Sequence, residues 1–150
     1  MALATEEEWE NDPELRAMRL EFVTSFLERR QKLEAFYPVL RQGVPGEAAY
    51  EQALAGIGAL VHKLAGAAET YGFPMLTRAG AALEDWLGTS NPRERASKRV
   101  LSFVELVAEM LGQAQSTGKD ARDFAADPRL QSLESAARDA SARLSGDPLE

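Results

Sequence analysis

The chain has 150 residues, 45% hydrophobic and 27% charged, which suits one soluble domain with enough length to bury its own core. Asp and Glu total 24 against 17 Lys and Arg, a formal charge of -7, and no basic run or basic-aromatic alternation occurs, so nucleic acid is not an expected partner. Cysteine is absent, which excludes disulfides and thiolate metal sites and fits a reducing compartment.

Met1 to Glu10 is acidic and has neither the basic start nor the apolar centre of a signal peptide. No apolar run approaches the roughly 18 residues that cross a bilayer. The expected setting is the cytoplasm, with no membrane partner. Thr5 and Glu8 have capping-box spacing for a short leading helix in the acidic segment 1–12.

Asp12-Pro13 then places an N-cap before a proline at the first helical position, so the first long helix is predicted to start near Pro13. Its buried stripe is Leu15, Met18, Phe22, Phe26, Leu33, Phe36 and Leu40, and Pro38 is expected to kink or end it. After the turn Gly43-Val44-Pro45-Gly46, a second helix is predicted from about Glu47 to Tyr71, closing at Gly72.

Pro74 opens a third helix that packs through Leu76, Ala79, Gly80, Leu83 and Leu87. Asn91-Pro92 is expected to cap a fourth, with the stripe Val100, Phe103, Val104, Val107, Met110, Leu111 and Ala114. The period stays near 3.6 throughout and no alternating β-branched run interrupts it. The fold class is therefore all-α, an antiparallel up-and-down four-helix bundle over residues 13–117. Beyond Gly118 the apolar stripe thins to Leu130, Leu133, Ala137, Ala140 and Leu144, so residues 118–150 are either a docked fifth helix or a partly disordered tail.

The second helix carries the only histidine, His62. At about 100° per residue, Ala55, Gly58, Ala59, Ala65, Gly66 and Glu69 fall within roughly 60° of it. All but Glu69 are alanine or glycine, whereas the opposite face is the apolar stripe Ala53, Ile57, Leu60, Leu64, Ala67, Ala68 and Tyr71. His62 is thus predicted to face solvent. Glycine inside a helix costs about 0.5–1 kcal/mol relative to alanine, so Gly58 and Gly66 call for a compensating reason, such as close approach of a partner.

Val61 to Phe73 resembles the signature of the histidine-containing phosphotransfer (HPt) family. His62, Leu64, Gly66, Ala67, Ala68 and Gly72 match it position by position. The likeness runs without a gap through Phe73-Pro74-Met75-Leu76 to Leu83-Glu84, and loosely over residues 13–115. It implies a phosphocarrier, not an enzyme by itself, that bears a phosphoryl group on His62 and exchanges it with an aspartate of a response-regulator receiver domain. A hybrid histidine kinase stands upstream, and the Mg²⁺ belongs to the receiver, with no cofactor of the chain's own.

Further roles follow from the same resemblance. Ala55, Gly58 and Ala59 join Gly66 as the small surface over which a receiver closes. Ala65 replaces the family's frequent lysine, which steadies the phosphoryl group, leaving Lys63 and Arg78 as candidate cations. Glu84 either hydrogen-bonds the other ring nitrogen and fixes the tautomer or stays an exposed carboxylate; Glu69 is expected at the rim.

Other chemistry is poorly supported. Gly56-Ile57-Gly58 lacks the third glycine and the strand of a dinucleotide site, the acidic clusters read as solvated surface rather than metal ligands, and no nucleophile elbow accompanies His62. Two other readings are a helical adaptor of HPt fold that binds without phosphotransfer, favoured by Ala65, and the phosphoacceptor module of a larger kinase. The lack of a nucleotide-binding region and the initial methionine argue against the latter.

Overall fold

The computed structural model describes residues 5–144, so residues 1–4 of the acidic segment and 145–150 of the tail lie outside the described residues. The helices are α1 (Glu6–Asn11), α2 (Pro13–Thr24), α3 (Phe26–Glu34), α4 (Tyr37–Gln42), α5 (Ala48–Tyr71), α6 (Pro74–Thr89), α7 (Pro92–Arg95), α8 (Arg99–Thr117) and α9 (Pro128–Leu144), with a 3₁₀ turn at Arg122–Ala126 before α9. Among the described residues there is no strand, and the fold is an all-α bundle.

The first expected helix is three. Thr5 and Glu8 form the capping box of α1, and Asp12 caps α2 by accepting from the amides of Glu14 and Leu15. The α2–α3 break falls at Ser25, whose hydroxyl donates to the Phe22 carbonyl at 2.6 Å and so competes with the helical ladder. Around this break Phe22, Phe26 and Phe73 meet edge to face, which holds the bend against the core. Proline acts before its own position: α3 ends at Glu34 and α4 restarts at Tyr37 with Pro38 in its first turn. Met18, expected inside, is 42% exposed, because α2 turns Phe22 and Val23 to the core instead.

The α5 helix ends where glycine is needed, at Gly72 with φ 80°, and α6 begins two residues later. This short connection sets the two helices antiparallel. The buried side of α5 is Tyr50, Ala53, Leu54, Ile57, Val61, Leu64, Ala65 and Ala68, while Leu60, Ala67 and Tyr71 are only half-buried. At about 100° per residue, the stripe is rotated roughly 60° from the one expected, toward Ala65. Gly80 is the cause: a β-carbon there would lie 3.2 Å from the Val61 carbonyl and 3.3 Å from the Ala65 methyl, so α6 approaches α5 on that side.

Asn91 caps the one-turn α7 rather than the long fourth helix, which starts at Arg99. All seven expected core positions of α8 are buried, and Trp86 packs edge-on against Phe103. Each such large side chain contributes about 1.5–3 kcal/mol by leaving water.

After Gly118 the described residues, as far as Leu144, dock on the bundle. Asp120 accepts from the Met75 amide at 2.9 Å at the start of α6, and α9 buries Leu130, Leu133, Ala136, Ala137 and Ala140 against α6 and α8. Ion pairs Arg78–Glu134, Arg129–Glu109 and Arg143–Glu94 frame that contact.

Candidate functional site

His62 stands mid-way along α5, with its side chain 70% exposed. Its Nδ1 is in direct contact with Glu84 Oε2, a carboxylate projecting from α6. Antiparallel packing of the two helices brings this pair together. An ionised carboxylate has no proton to give, so the ring must donate from Nδ1. In the neutral ring this leaves the lone pair on Nε2, the nitrogen outside the pair.

From His62 a groove of about 650 Å³ runs toward the start of α5. Ala55, Gly58 and Ala59 line one wall, Glu84, Leu87 and Gly88 the other, and Glu51, Leu54 and Arg95 complete it. A β-carbon added at Gly58 or Gly88 would meet nothing within 4 Å. These glycines leave open space beside the imidazole rather than admitting a helix of the same chain. Chemically, the site offers one unhindered nitrogen nucleophile, a carboxylate at the ring's other nitrogen, and a shallow apolar approach.

The model of the Hpt domain matches residues 17–117, about two-thirds of the chain. The chain belongs to the Hpt family. No curated protein and no solved structure matches it. The family-level role is histidine phosphotransfer within phosphorelays, in which Hpt domains work with kinases and receiver domains of two-component systems. No described helix is long and apolar enough to cross a membrane.

In this Hpt domain the groove unites Ala55, Gly58, Ala59, His62 and Glu84, and leaves the other expected residues elsewhere. Gly66 is exposed one turn beyond His62 with open space above it. Glu69 is exposed further along α5, outside the groove lining, and Lys63 is exposed without an ion pair among the described residues.

Two expectations need correction. Ala65 is 8% exposed, packed over Gly80, so it belongs to the α5–α6 contact and not to the solvent-facing ring. Arg78 is not a phosphate-side cation. Six residues from Glu84 is about 240° around α6, and Arg78 there makes two hydrogen bonds to Glu134 of α9, at 2.7 and 3.2 Å. That bonding raises the Arg78 pKa above its ordinary value, against a smaller lowering by burial.

Leu87 and Gly88 were legible in principle, being one turn beyond Glu84 on the same face of α6. Glu51 was legible too, eleven residues before His62 and so about 20° from it around α5, but Arg95 was not, since only the fold of the α6–α8 connection places it at the groove.

Proposed function

We propose that the protein is a phosphorelay carrier that takes a phosphoryl group on His62 Nε2 and exchanges it with the aspartate of a response-regulator receiver domain. The observation that carries this reading is the contact of Glu84 with Nδ1 on a side chain 70% exposed, which orients the ring and leaves Nε2 as nucleophile. In the step, the Nε2 lone pair attacks phosphorus and the acyl phosphate P–O bond breaks, its electron pair returning to the receiver's aspartate. The ring keeps its Nδ1 proton and gains positive charge beside the Glu84 carboxylate, which stabilises it as it forms. No base need remove a proton from the nucleophile.

The receiver would bring its own divalent cation to the phosphoryl oxygens, and this chain would contribute position and access. The donor upstream is proposed to be a hybrid histidine kinase. The adaptor reading drew on Ala65 in place of lysine. Ala65 packs over Gly80, which accounts for its small size, and the label-transfer test separates the adaptor reading from the phosphocarrier one.

The test is label transfer from a panel of phosphorylated receiver domains to the parent and to His62→Gln. The parent should acquire acid-labile label and His62→Gln none, with circular dichroism unchanged. Acid-stable label, or label persisting in His62→Gln, sinks the assignment.

A further inference from the structure

The groove ends in a cation that the phosphoryl chemistry does not use. Arg95 donates from Nη1 to the Ser90 carbonyl, and its own carbonyl accepts from the Tyr50 hydroxyl at 2.8 Å. The preceding residue, Glu94, accepts from Trp86 Nε1 at 3.3 Å and pairs with Arg143 of α9. The one-turn α7 is therefore pinned to three elements, and Arg95 is held at the groove rather than left to sweep through solvent. Only one of its N–H donors is engaged among the described residues. Glu51, also lining the groove, is exposed and forms no ion pair among the described residues.

Distance decides between two uses of this guanidinium. Ser90 lies six residues past Glu84, so at about 1.5 Å per residue its backbone is roughly 9 Å further along α6, and the guanidinium is bonded to its carbonyl, away from the Glu84–His62 pair. A phosphate hydrogen bond needs about 2.7–3.2 Å. Arg95 is thus too far to hold the phosphoryl group, yet well placed to meet whatever surface covers the groove.

We propose that Arg95 is a specificity-determining residue of the docking groove, pairing with a carboxylate on the surface of the receiver domain. Glu51, of opposite charge in the same groove, takes a basic group of that surface. Both charges lie at the end of the groove away from His62, next to the Tyr50–Arg95 bond, so a partner turned end for end would bring its carboxylate against Glu84 and leave Arg95 and Glu51 without their complements. This rests on the phosphocarrier reading, and it names the partner chemistry that the reading leaves open. An exposed charge pair sets register and encounter rate more than chemistry.

The experiment uses the full chain and a panel of receiver domains phosphorylated with acetyl phosphate, at low ionic strength. Arg95→Glu should raise the apparent KM for transfer about ten-fold and change kcat by less than about two-fold, whereas Arg95→Lys stays within about three-fold of the parent. Reversing one receiver carboxylate to Lys should restore the KM of Arg95→Glu and weaken the parent. In a His62→Gln background, calorimetry with unphosphorylated receiver should show the same loss on Arg95→Glu.

That last arm separates the two claims. Docking that still depends on Arg95 while His62 takes no label overturns the phosphocarrier reading and leaves the recognition role standing. An unchanged KM and affinity in Arg95→Glu, or a loss in Arg95→Lys as large as in Arg95→Glu, overturns the recognition role and reduces Arg95 to its Ser90 bond. A parent that docks none of the receivers overturns both.

Discussion

Two sides of α6 meet neighbouring helices on different terms. Toward α5, Gly80 allows contact close enough that a β-carbon would crowd the Val61 carbonyl, but beyond Glu84 the same interface opens into the groove beside His62. Toward α9, Arg78, Ala82 and Asp85 face Glu134, Ala137 and Arg138 across a shallow surface groove bridged by the Arg78–Glu134 ion pair, and beneath it α9 buries a row of leucines and alanines. Small residues therefore occur on this bundle for opposite reasons. Gly56 and Gly80 let helices of the chain come together, while Gly58, Gly66 and Gly88 hold space that the chain itself leaves unfilled.

The sharpest break of that comparison is to fill both kinds of glycine. Gly58→Leu or Gly66→Leu should leave urea stability equal or higher by up to about 1 kcal/mol, since glycine is the poorer helix former. Receiver-to-protein transfer should nevertheless fall by about a hundred-fold, since the added bulk stands where a partner must close and positioning errors are costly. Transfer at the parental rate in either variant would show that the open space is not a docking requirement.

The packing glycines should behave in reverse. A β-carbon on Gly56 would come within 2.7 Å of the Phe36 ring and one on Gly80 within 3.2 Å of a backbone oxygen, so Leu at either position should cost about 1–3 kcal/mol or more by overpacking. Ala65→Lys belongs to this class. Its ammonium would have to leave the α5–α6 contact, so lost stability is the expected result, not a longer-lived phosphohistidine. Urea midpoints and the hydrolysis rate of the labelled protein measure the two effects separately.

Next in size is Glu84→Gln, which keeps an acceptor at Nδ1 but removes its charge. Transfer from the receiver to His62 should slow about ten-fold, the equivalent of about 1.4 kcal/mol, with the fold intact. Unchanged single-turnover rates would reduce Glu84 to a surface carboxylate. The smallest effect is expected on the α9 side: Arg78→Ala removes an exposed pair and should cost at most about 1 kcal/mol, leaving the lifetime of phosphorylated His62 unchanged.

Much of this was legible in the one-dimensional pattern because it depends on neighbours within a turn or two. The capping box at Thr5 and Glu8, Asp12 before Pro13, Gly72 at the end of α5 and the stripe of α8 are local devices, and each formed as its residues dictate. The exposure of His62 followed from the same helical periodicity. Ser25 and the Ala96–Lys98 stretch broke helices that the periodicity alone carried through, since an apolar repeat does not record where a hydroxyl or a corner interrupts the ladder.

What tertiary structure decided was the rotation of helices about their own axes and the company of long side chains. Periodicity places residues on a helix relative to one another but does not say how far the neighbouring helix will move in, and Gly80 shifted the buried face of α5 enough to take Ala65 out of solvent. Once Glu84 is set at His62, helix geometry turns Arg78 away, but its partner Glu134 was named only by the docking of α9, and Arg95 had no visible tie to the site until α7 folded across the end of α6. Local sequence determines which groups are available and which way a helix turns them; only the close packing of distant segments, where each charge finds its lowest-energy partner, selects among them.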